Sequence, residues 1–165
     1  MEKQLENLNV ELIRMGALCE KVIAGTTKAL FNGDAKYTAK SHAVEEEIDK
    51  SEHQIEHICM SLLLKQQPVA SDFRFISAAL KMISDLERIG DQCADIADMI
   101  RFTAPHDLKD FKDLKKRLIK EIEKNANEGE LFIDIIMIAK YYERIGDHAT
   151  NVAEWVYYSI TGEHI

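Results

Sequence analysis

The chain has 165 residues and a formal net charge of −8 at pH 7. That length is typical of one domain, and a helical protein of this size buries a core without disulfides or a structural metal. The negative charge removes the basic footprint that nucleic-acid binding requires, so we expect no nucleic-acid partner. Neither the start of the chain nor its most apolar stretch, LFIDIIMIA, has the pattern of a signal peptide or a membrane span, which predicts a soluble cytoplasmic protein.

Apolar residues in the first hundred positions recur at alternating steps of three and four, which places them on one face of each helix. The first predicted helix carries Leu5, Leu8, Leu12, Met15, Cys19 and Val22. Asn32–Asp34 supplies a break and an N-cap candidate. The second helix carries Val44, Ile48, Ser51, Ile55, Ile58 and Leu62. Pro68 marks a restart, and the third helix, ending near Pro105, carries Ala79, Met82, Leu86, Ile89, Cys93, Ile96 and Ile100.

The remainder of the chain begins with a predicted linker, TAPHDLKDFKD, followed by a short amphipathic helix, LKKRLIKEIEK, and one long final helix. No run alternates with the period of a strand, so the predicted class is all-α. We divide the chain into a three-helix repeat at 1–104, a linker at 105–112 and a partial second repeat at 113–165. Three widely spaced cysteines at apolar positions are interpreted as buried free thiols: Cys19, Cys59 and Cys93.

The pentapeptide ERIGD occurs twice, at Glu87–Asp91 and at Glu143–Asp147. Placing one copy on the other also pairs Ala97 with Ala153, Ile96 with Val152 and Asp98 with Glu154. The duplication therefore involves a whole helix and not the pentapeptide alone.

Acidic residues form rows beside the apolar face of three predicted helices. The rows are Glu45, Asp49, Glu52 and Glu56 on the second helix, Glu87, Asp91 and Asp98 on the third, and Glu143, Asp147 and Glu154 on the last. Carboxylates four residues apart stand one above the other, and two facing rows would gather hard oxygen ligands suited to iron, manganese, magnesium or calcium. The alternative interpretation is a solvated helix face.

Other residues near the rows have competing interpretations. Arg88 and Arg144 can each reach the aspartate three residues later and neutralise it. The mid-helix glycines Gly90 and Gly146 indicate close approach by another helix or by a bound species. His53 and His57 have the spacing of a zinc pair but project toward solvent, and His148 is likewise interpreted as a surface residue.

The segments QQPVASDF…LERIGDQCADIAD and YYERIGDHATNVAEWV closely resemble the PhoU family of phosphate-transport accessory and phosphate-signalling proteins. The resemblance covers nearly the whole chain and implies an all-α fold of two three-helix repeats. It also implies a metal motif of Glu or Asp, three residues, then Asp. On this chain the motif falls on Glu45 with Asp49, Glu87 with Asp91 and Glu143 with Asp147, and Asp98 and Glu154 are weaker candidates. The implied cofactor is a metal cluster, chiefly iron, with zinc, manganese or magnesium as alternatives.

The sequence departs from the family pattern after Pro105, where a family member should have a further helix and the acidic half of another. Roughly fifty residues are absent there, judged from the length of the first repeat, either because the chain is a shortened member of the family or because a stretch is missing from this sequence. The second repeat is therefore predicted to be incomplete, and the partners of Glu143 and Asp147 cannot be named.

The resemblance implies a non-enzymatic regulator that couples a phosphate ABC transporter, through its ATPase subunit, to a sensor histidine kinase and represses the phosphate-starvation response. It would associate with the inner membrane only through these proteins. A homodimer is expected, because an incomplete second repeat would leave the apolar face of the last helix uncovered, namely Ile135, Ile138, Ile145 and Val152. One rival is a carboxylate-bridged di-metal oxidase, which needs Glu-x-x-His motifs that this chain lacks. The other is a helical adaptor without metal.

Overall fold

The computed structural model describes residues 2–65, 68–103 and 129–165. These residues form four α-helices: α1 (Glu2–Asn32), α2 (Tyr37–Lys65), α3 (Ala70–Thr103) and α4 (Gly129–Thr161). No strand occurs in these three ranges, which confirms the predicted all-α class. The predicted linker at 105–112 and the short helix LKKRLIKEIEK lie outside the described residues, so the boundaries drawn there remain predictions.

Helices α1, α2 and α3 form a three-helix bundle in which each helix packs against the other two. The predicted apolar faces supply its core, because the alternating spacing brings them to one side of each helix. The core includes Leu8, Leu12, Met15, Cys19 and Val22 from α1, Val44, Ile48, Ile55, Cys59 and Leu62 from α2, and Ala79, Met82, Leu86, Ile89, Cys93, Ile96 and Ile100 from α3. The three cysteines are free and buried, as predicted.

The break between α1 and α2 lies at the predicted position. Gly33 has a φ of 66°, a left-handed conformation that glycine adopts without a steric penalty. The Asp34 carboxylate accepts a hydrogen bond from the Lys36 backbone N–H at 3.1 Å. Since α2 begins only at Tyr37, Asp34 stabilises the turn before the helix.

Helix α4 packs antiparallel along α3. The Arg74 guanidinium, near the start of α3, donates to the backbone carbonyls of Ser159 and Ile160 at 3.2 and 3.3 Å, close to the end of α4. Gly162 ends the helix with a φ of 82°. Within the described helices, none has the length and apolar character needed to cross a membrane.

The expectation that the apolar face of α4 lacks cover is wrong for three of its four residues. Ile135, Ile138 and Ile145 are buried, and Val152 is half-buried against the core. The exposed apolar side chains of α4 include Ile133 and Ile136, which lie on a different face, and Ile160 near the end of the helix.

Candidate metal centre

The acidic rows of α2 and α3 face each other across the contact between the two helices. Burial is the main cause of the raised pKa of Glu45, and the negative charge of the nearby Asp91 is the second cause. Glu52 likewise contributes to the raised pKa of Glu87. The structure therefore brings four of the predicted ligands to one seam: Glu45, Asp49, Glu87 and Asp91.

Gly90 sets how closely α2 and α3 approach beside these acids. A Cβ added at Gly90 would lie 3.1 Å from Cδ1 and 3.3 Å from Cγ2 of Ile48. Ordinary carbon contacts are longer than this, so the α2 side chain occupies the space that any larger residue would need. The predicted close approach at Gly90 is therefore confirmed, and the approaching element is α2.

Glu87 has the most perturbed carboxyl group of the seam. Burial raises its pKa to about 7, with further contributions from the charges of Asp91 and Glu52 and from a hydrogen bond with Asp91. Arg88 opposes the shift only weakly, and no ion pair joins Arg88 to Asp91 in the described chain. The expected neutralisation of Asp91 within its own helix is therefore wrong, and the seam keeps an excess of negative charge.

An imidazole joins the outer edge of this seam. One ligand atom each of Asp49, Glu52 and His53 lies within 4.8 Å of the others. His53 Nδ1 is 2.9 Å from the backbone carbonyl of Asp49, and this hydrogen bond is the main cause of its raised pKa. His53 is exposed, as predicted, but its one-turn spacing from Asp49 could have indicated its place beside the acids.

Asp98, a weaker candidate, lies at the other end of the seam. Its Oδ1 is 3.0 Å from His42 Nε2, so an imidazole of α2 already contacts this carboxylate. Burial raises the pKa of the neighbouring Asp95, and Tyr141 of α4 lies close enough to oppose that shift. Neither His42 nor Asp95 could be predicted from the sequence, because their partners lie on other helices.

The acids of α4 have different surroundings. Glu143 pairs with Lys140 at 2.6 Å, and this hydrogen bond is the main cause of its lowered pKa. Asp147 and Glu154 are exposed. No described atom outside the helix lies within 4 Å of a Cβ built at Gly146. In the described part of the chain, the structure brings no second acidic row to face Glu143 and Asp147.

His148 is not the surface residue that the sequence suggested. Its Nδ1 lies 2.8 Å from Asp85 Oδ1, and both side chains are mostly buried between α3 and α4. Asn151 donates a second hydrogen bond to the same oxygen at 3.0 Å. These residues hold α4 against α3 on a different face of α3 from the acidic seam.

The α2–α3 seam fits a hard cation and the described part of α4 does not. The seam offers carboxylate oxygens from two helices, and burial followed by like charges raises the pKa of one of these carboxyl groups, that of Glu87. A bound cation would relieve that repulsion. On α4, by contrast, Lys140 already compensates Glu143.

Comparison with known proteins identifies the family. A model of the PhoU domain matches residues 12–100 and 109–156. The phosphate-specific transport system accessory protein PhoU homolog of Clostridium acetobutylicum is 30% identical, over 99% of this chain and 95% of that protein. Its homolog in Synechocystis is 28% identical, over 98% and 92% respectively. These alignments span 209 and 205 positions, more than the 165 residues here, so the relatives contain residues that this chain lacks.

Two solved structures share the fold. PhoU from Pseudomonas aeruginosa aligns with a TM-score of 0.85 and 24% identity, covering 98% of this chain and 99% of that one. The phosphate transport system regulatory protein PhoU from Streptococcus pneumoniae aligns with a TM-score of 0.79 and 20% identity, covering 99% and 98%. The domain match, which includes both copies of ERIGD, establishes that this chain belongs to the PhoU family.

Proposed function

We propose that the chain is a non-enzymatic regulator of phosphate uptake and of phosphate-starvation signalling. The relatives are named as accessory proteins of a phosphate-specific transport system, which supports a role beside such a transporter. The proposed partners are the ATPase subunit of the transporter and a phosphate sensor histidine kinase. The protein would work in the cytoplasm and reach the inner membrane through these partners.

Metal binding is proposed because the acidic rows of α2 and α3 face each other beside Gly90. Glu45, Asp49, Glu87 and Asp91 would hold a hard cation, chiefly iron, with manganese, magnesium or zinc as alternatives. When bound, the metal would supply positive charge that offsets the repulsion between the rows. The side chains would fix the spacing of α2 and α3 and so the shape of the surface presented to partners.

Glu143 and Asp147 are proposed as ligands of a second, separate metal site. In the described residues Lys140 contacts Glu143, and no second acidic row faces these two acids. A helical adaptor without metal is the alternative for the whole protein. Elemental analysis of purified protein separates the two, since an adaptor would contain no stoichiometric metal.

A homodimer is the proposed assembly. The buried state of Ile135 and Ile138 removes the original reason for it, and its remaining support is the exposed apolar side chains of α4, Ile133, Ile136 and Ile160. Light scattering across a concentration series tests it, and a monomer at every concentration would exclude it.

The regulatory role is tested by cross-linked co-purification from phosphate-replete cells. The tagged full chain should recover the transporter ATPase subunit and the kinase. A chain carrying Glu87→Gln with Asp91→Asn should recover less of both if the metal shapes the partner surface. Recovery of neither partner by the wild-type chain would contradict the regulatory assignment.

A further inference from the structure

A cavity lined by lysines lies where the second half of α1 meets the start of α2. Its volume is about 280 Å³, and Lys21 and Lys28 of α1 and Lys40 of α2 line it. Asp34 is the only acidic residue among the described residues that line it. The chain as a whole has 29 acidic and 21 basic residues, so the local charge of this lysine pocket is opposite in sign to the net charge of the chain.

The three lysines have no carboxylate partners in the part of the chain that the structure describes. Within the described ranges none of them forms an ion pair, and the ammonium group of Lys40 lies 5.8 Å from the centroid of the Tyr37 ring. The Asp34 carboxylate is occupied by the Lys36 backbone N–H. Three like charges around one cavity repel each other, and a bound anion would relieve that repulsion.

Tyr37 gives the pocket a fixed polar wall. A Cβ at Gly25 would overlap the Tyr37 hydroxyl, so the absence of a side chain on α1 makes room for this ring. Burial raises the pKa of Tyr37, and its hydroxyl therefore stays protonated and can both donate and accept a hydrogen bond. Tyr37 also begins α2, whose first turn contains no acidic residue, and the positive end of the helix dipole there favours anions.

We propose that the lysine pocket binds a phosphate group, either as inorganic phosphate or as the phosphate of a small monoester. Three lysines and one aspartate leave two positive charges, which match a phosphate dianion. The pocket lies between α1 and α2 and uses none of the acids of the α2–α3 seam, so it is separate from the metal centre. Only the choice of phosphate over other dianions rests on the proposed function.

Isothermal titration of the full chain tests the proposal. The protein is kept in chelator, so that phosphate has no metal to bind, and orthophosphate, glycerol 3-phosphate and sulfate are compared at equal ionic strength. Orthophosphate or glycerol 3-phosphate should bind more tightly than sulfate, and the tighter of the two identifies the source of the phosphate group. No binding of either, or equal binding of sulfate, would overturn the proposal.

Matched variants localise the site. Lys21→Gln with Lys28→Gln should weaken binding at least about tenfold, because each lysine offers a charge-assisted contact. Tyr37→Phe should weaken it by about threefold through loss of one hydroxyl. Lys3→Gln with Lys81→Gln removes the same charge from exposed positions elsewhere and should leave the affinity unchanged. Equal weakening by both double variants would overturn the site, and circular dichroism confirms that each variant is folded.

This result is independent of the regulatory test. The titration uses purified protein without metal or partners, so phosphate binding can be found even if no partner is recovered. Conversely, a chain that recovers its partners but binds no phosphate would contradict only the lysine pocket.

Discussion

The two copies of ERIGD have the same five residues and opposite surroundings. In α3, Glu87 faces Glu52 of α2, and burial and like charges raise its pKa. In α4, Glu143 is exposed, and its hydrogen bond with Lys140 lowers its pKa. The pentapeptide therefore does not determine its own electrostatics, because the neighbouring helix decides whether its acids are compensated.

The glycines of the two copies differ in the same way. Gly90 is packed against Ile48, whereas Gly146 has open space where a side chain would lie, as far as the described residues extend. Helix α2 covers the first copy, and no described helix covers the second in the same manner. The same glycine is therefore a packing requirement in α3 and, among the described residues, not in α4.

The contact between α3 and α4 nevertheless preserves the symmetry of the repeat. Asn151 of α4 donates a hydrogen bond to Asp85 of α3, and Tyr141 of α4 lies beside Asp95 of α3, close enough to influence its pKa. When the copies of ERIGD are superimposed, Tyr141 takes the position of Asp85 and Asn151 that of Asp95. The two antiparallel helices therefore pair about a local twofold axis, and the difference between the copies comes from what lies outside the pair.

The largest expected effect is stabilisation by a bound metal ion, which should depend on Glu87 and Asp91 but not on Glu143 and Asp147. Manganese at one hundred times its dissociation constant should stabilise the wild-type chain by about 2.7 kcal/mol relative to chelator. Glu87→Gln with Asp91→Asn should abolish this gain, whereas the matched Glu143→Gln with Asp147→Asn should retain it. Thermal melts and elemental analysis measure both. Equal melting temperatures of the wild-type chain in manganese and in chelator, with no metal found, would falsify the site.

The next largest effect is a difference in stability between valine substitutions at Gly90 and at Gly146. Gly90→Val should destabilise the chain by about 2 kcal/mol, since its side chain would overlap Ile48 in a packed core. Gly146→Val should change the free energy of unfolding by less than about 0.5 kcal/mol, because helix propensity alone is at stake. Urea unfolding of the two variants makes the comparison, and similar losses in both would show that Gly146 is also packed.

A third prediction concerns the residues that follow ERIGD, Gln92 in α3 and His148 in α4. His148→Leu should destabilise the chain by about 1 kcal/mol, because it removes a partner from the mostly buried Asp85. Gln92→Leu should instead stabilise it by up to about 1 kcal/mol, because the buried Gln92 Oε1 has no hydrogen-bond partner among the described residues. Chemical denaturation measures both signs. Stabilisation by His148→Leu would contradict the role assigned to the bond with Asp85.

The smallest effect is a difference in pH dependence. Because the pKa of Glu87 is raised to about 7 in the folded chain, its stabilising contribution is present at pH 4.5 and is lost as the pH rises to 7. The lowered pKa of Glu143 has the opposite sign, and its contribution is lost as the pH falls through the acid range.

Glu87→Gln should therefore flatten the loss of stability between pH 4.5 and 7 in metal-free protein, by less than about 1 kcal/mol after solvent screening. Glu143→Gln should leave that window unchanged. Denaturant midpoints at half-unit pH steps measure it, and identical profiles for the wild-type chain and Glu87→Gln would contradict the raised pKa.

The helices and their core could be predicted from the sequence, because apolar spacing is a local signal. The first three predicted faces are the faces that pack, from Leu8 in α1 to Ile100 in α3. That Glu45 and Asp91 face each other could also be predicted from the sequence, since both acidic rows have the same angular relation to the core. The pairing of His148 with Asp85 and of Asp95 with Tyr141 was not, because it depends on how α4 is placed along α3.

The buried cysteines allow the opening of the three-helix bundle to be followed by chemical labelling. Cys19, Cys59 and Cys93 have pKa values raised to about 12 by burial, so almost no thiolate is present at neutral pH. An alkylating reagent can reach them only when the packing opens, and its rate then follows the opening equilibrium. One thiol lies in each of α1, α2 and α3 and none in α4. Labelling of the unmodified chain therefore times the opening of the three-helix bundle, helix by helix, without any engineered probe.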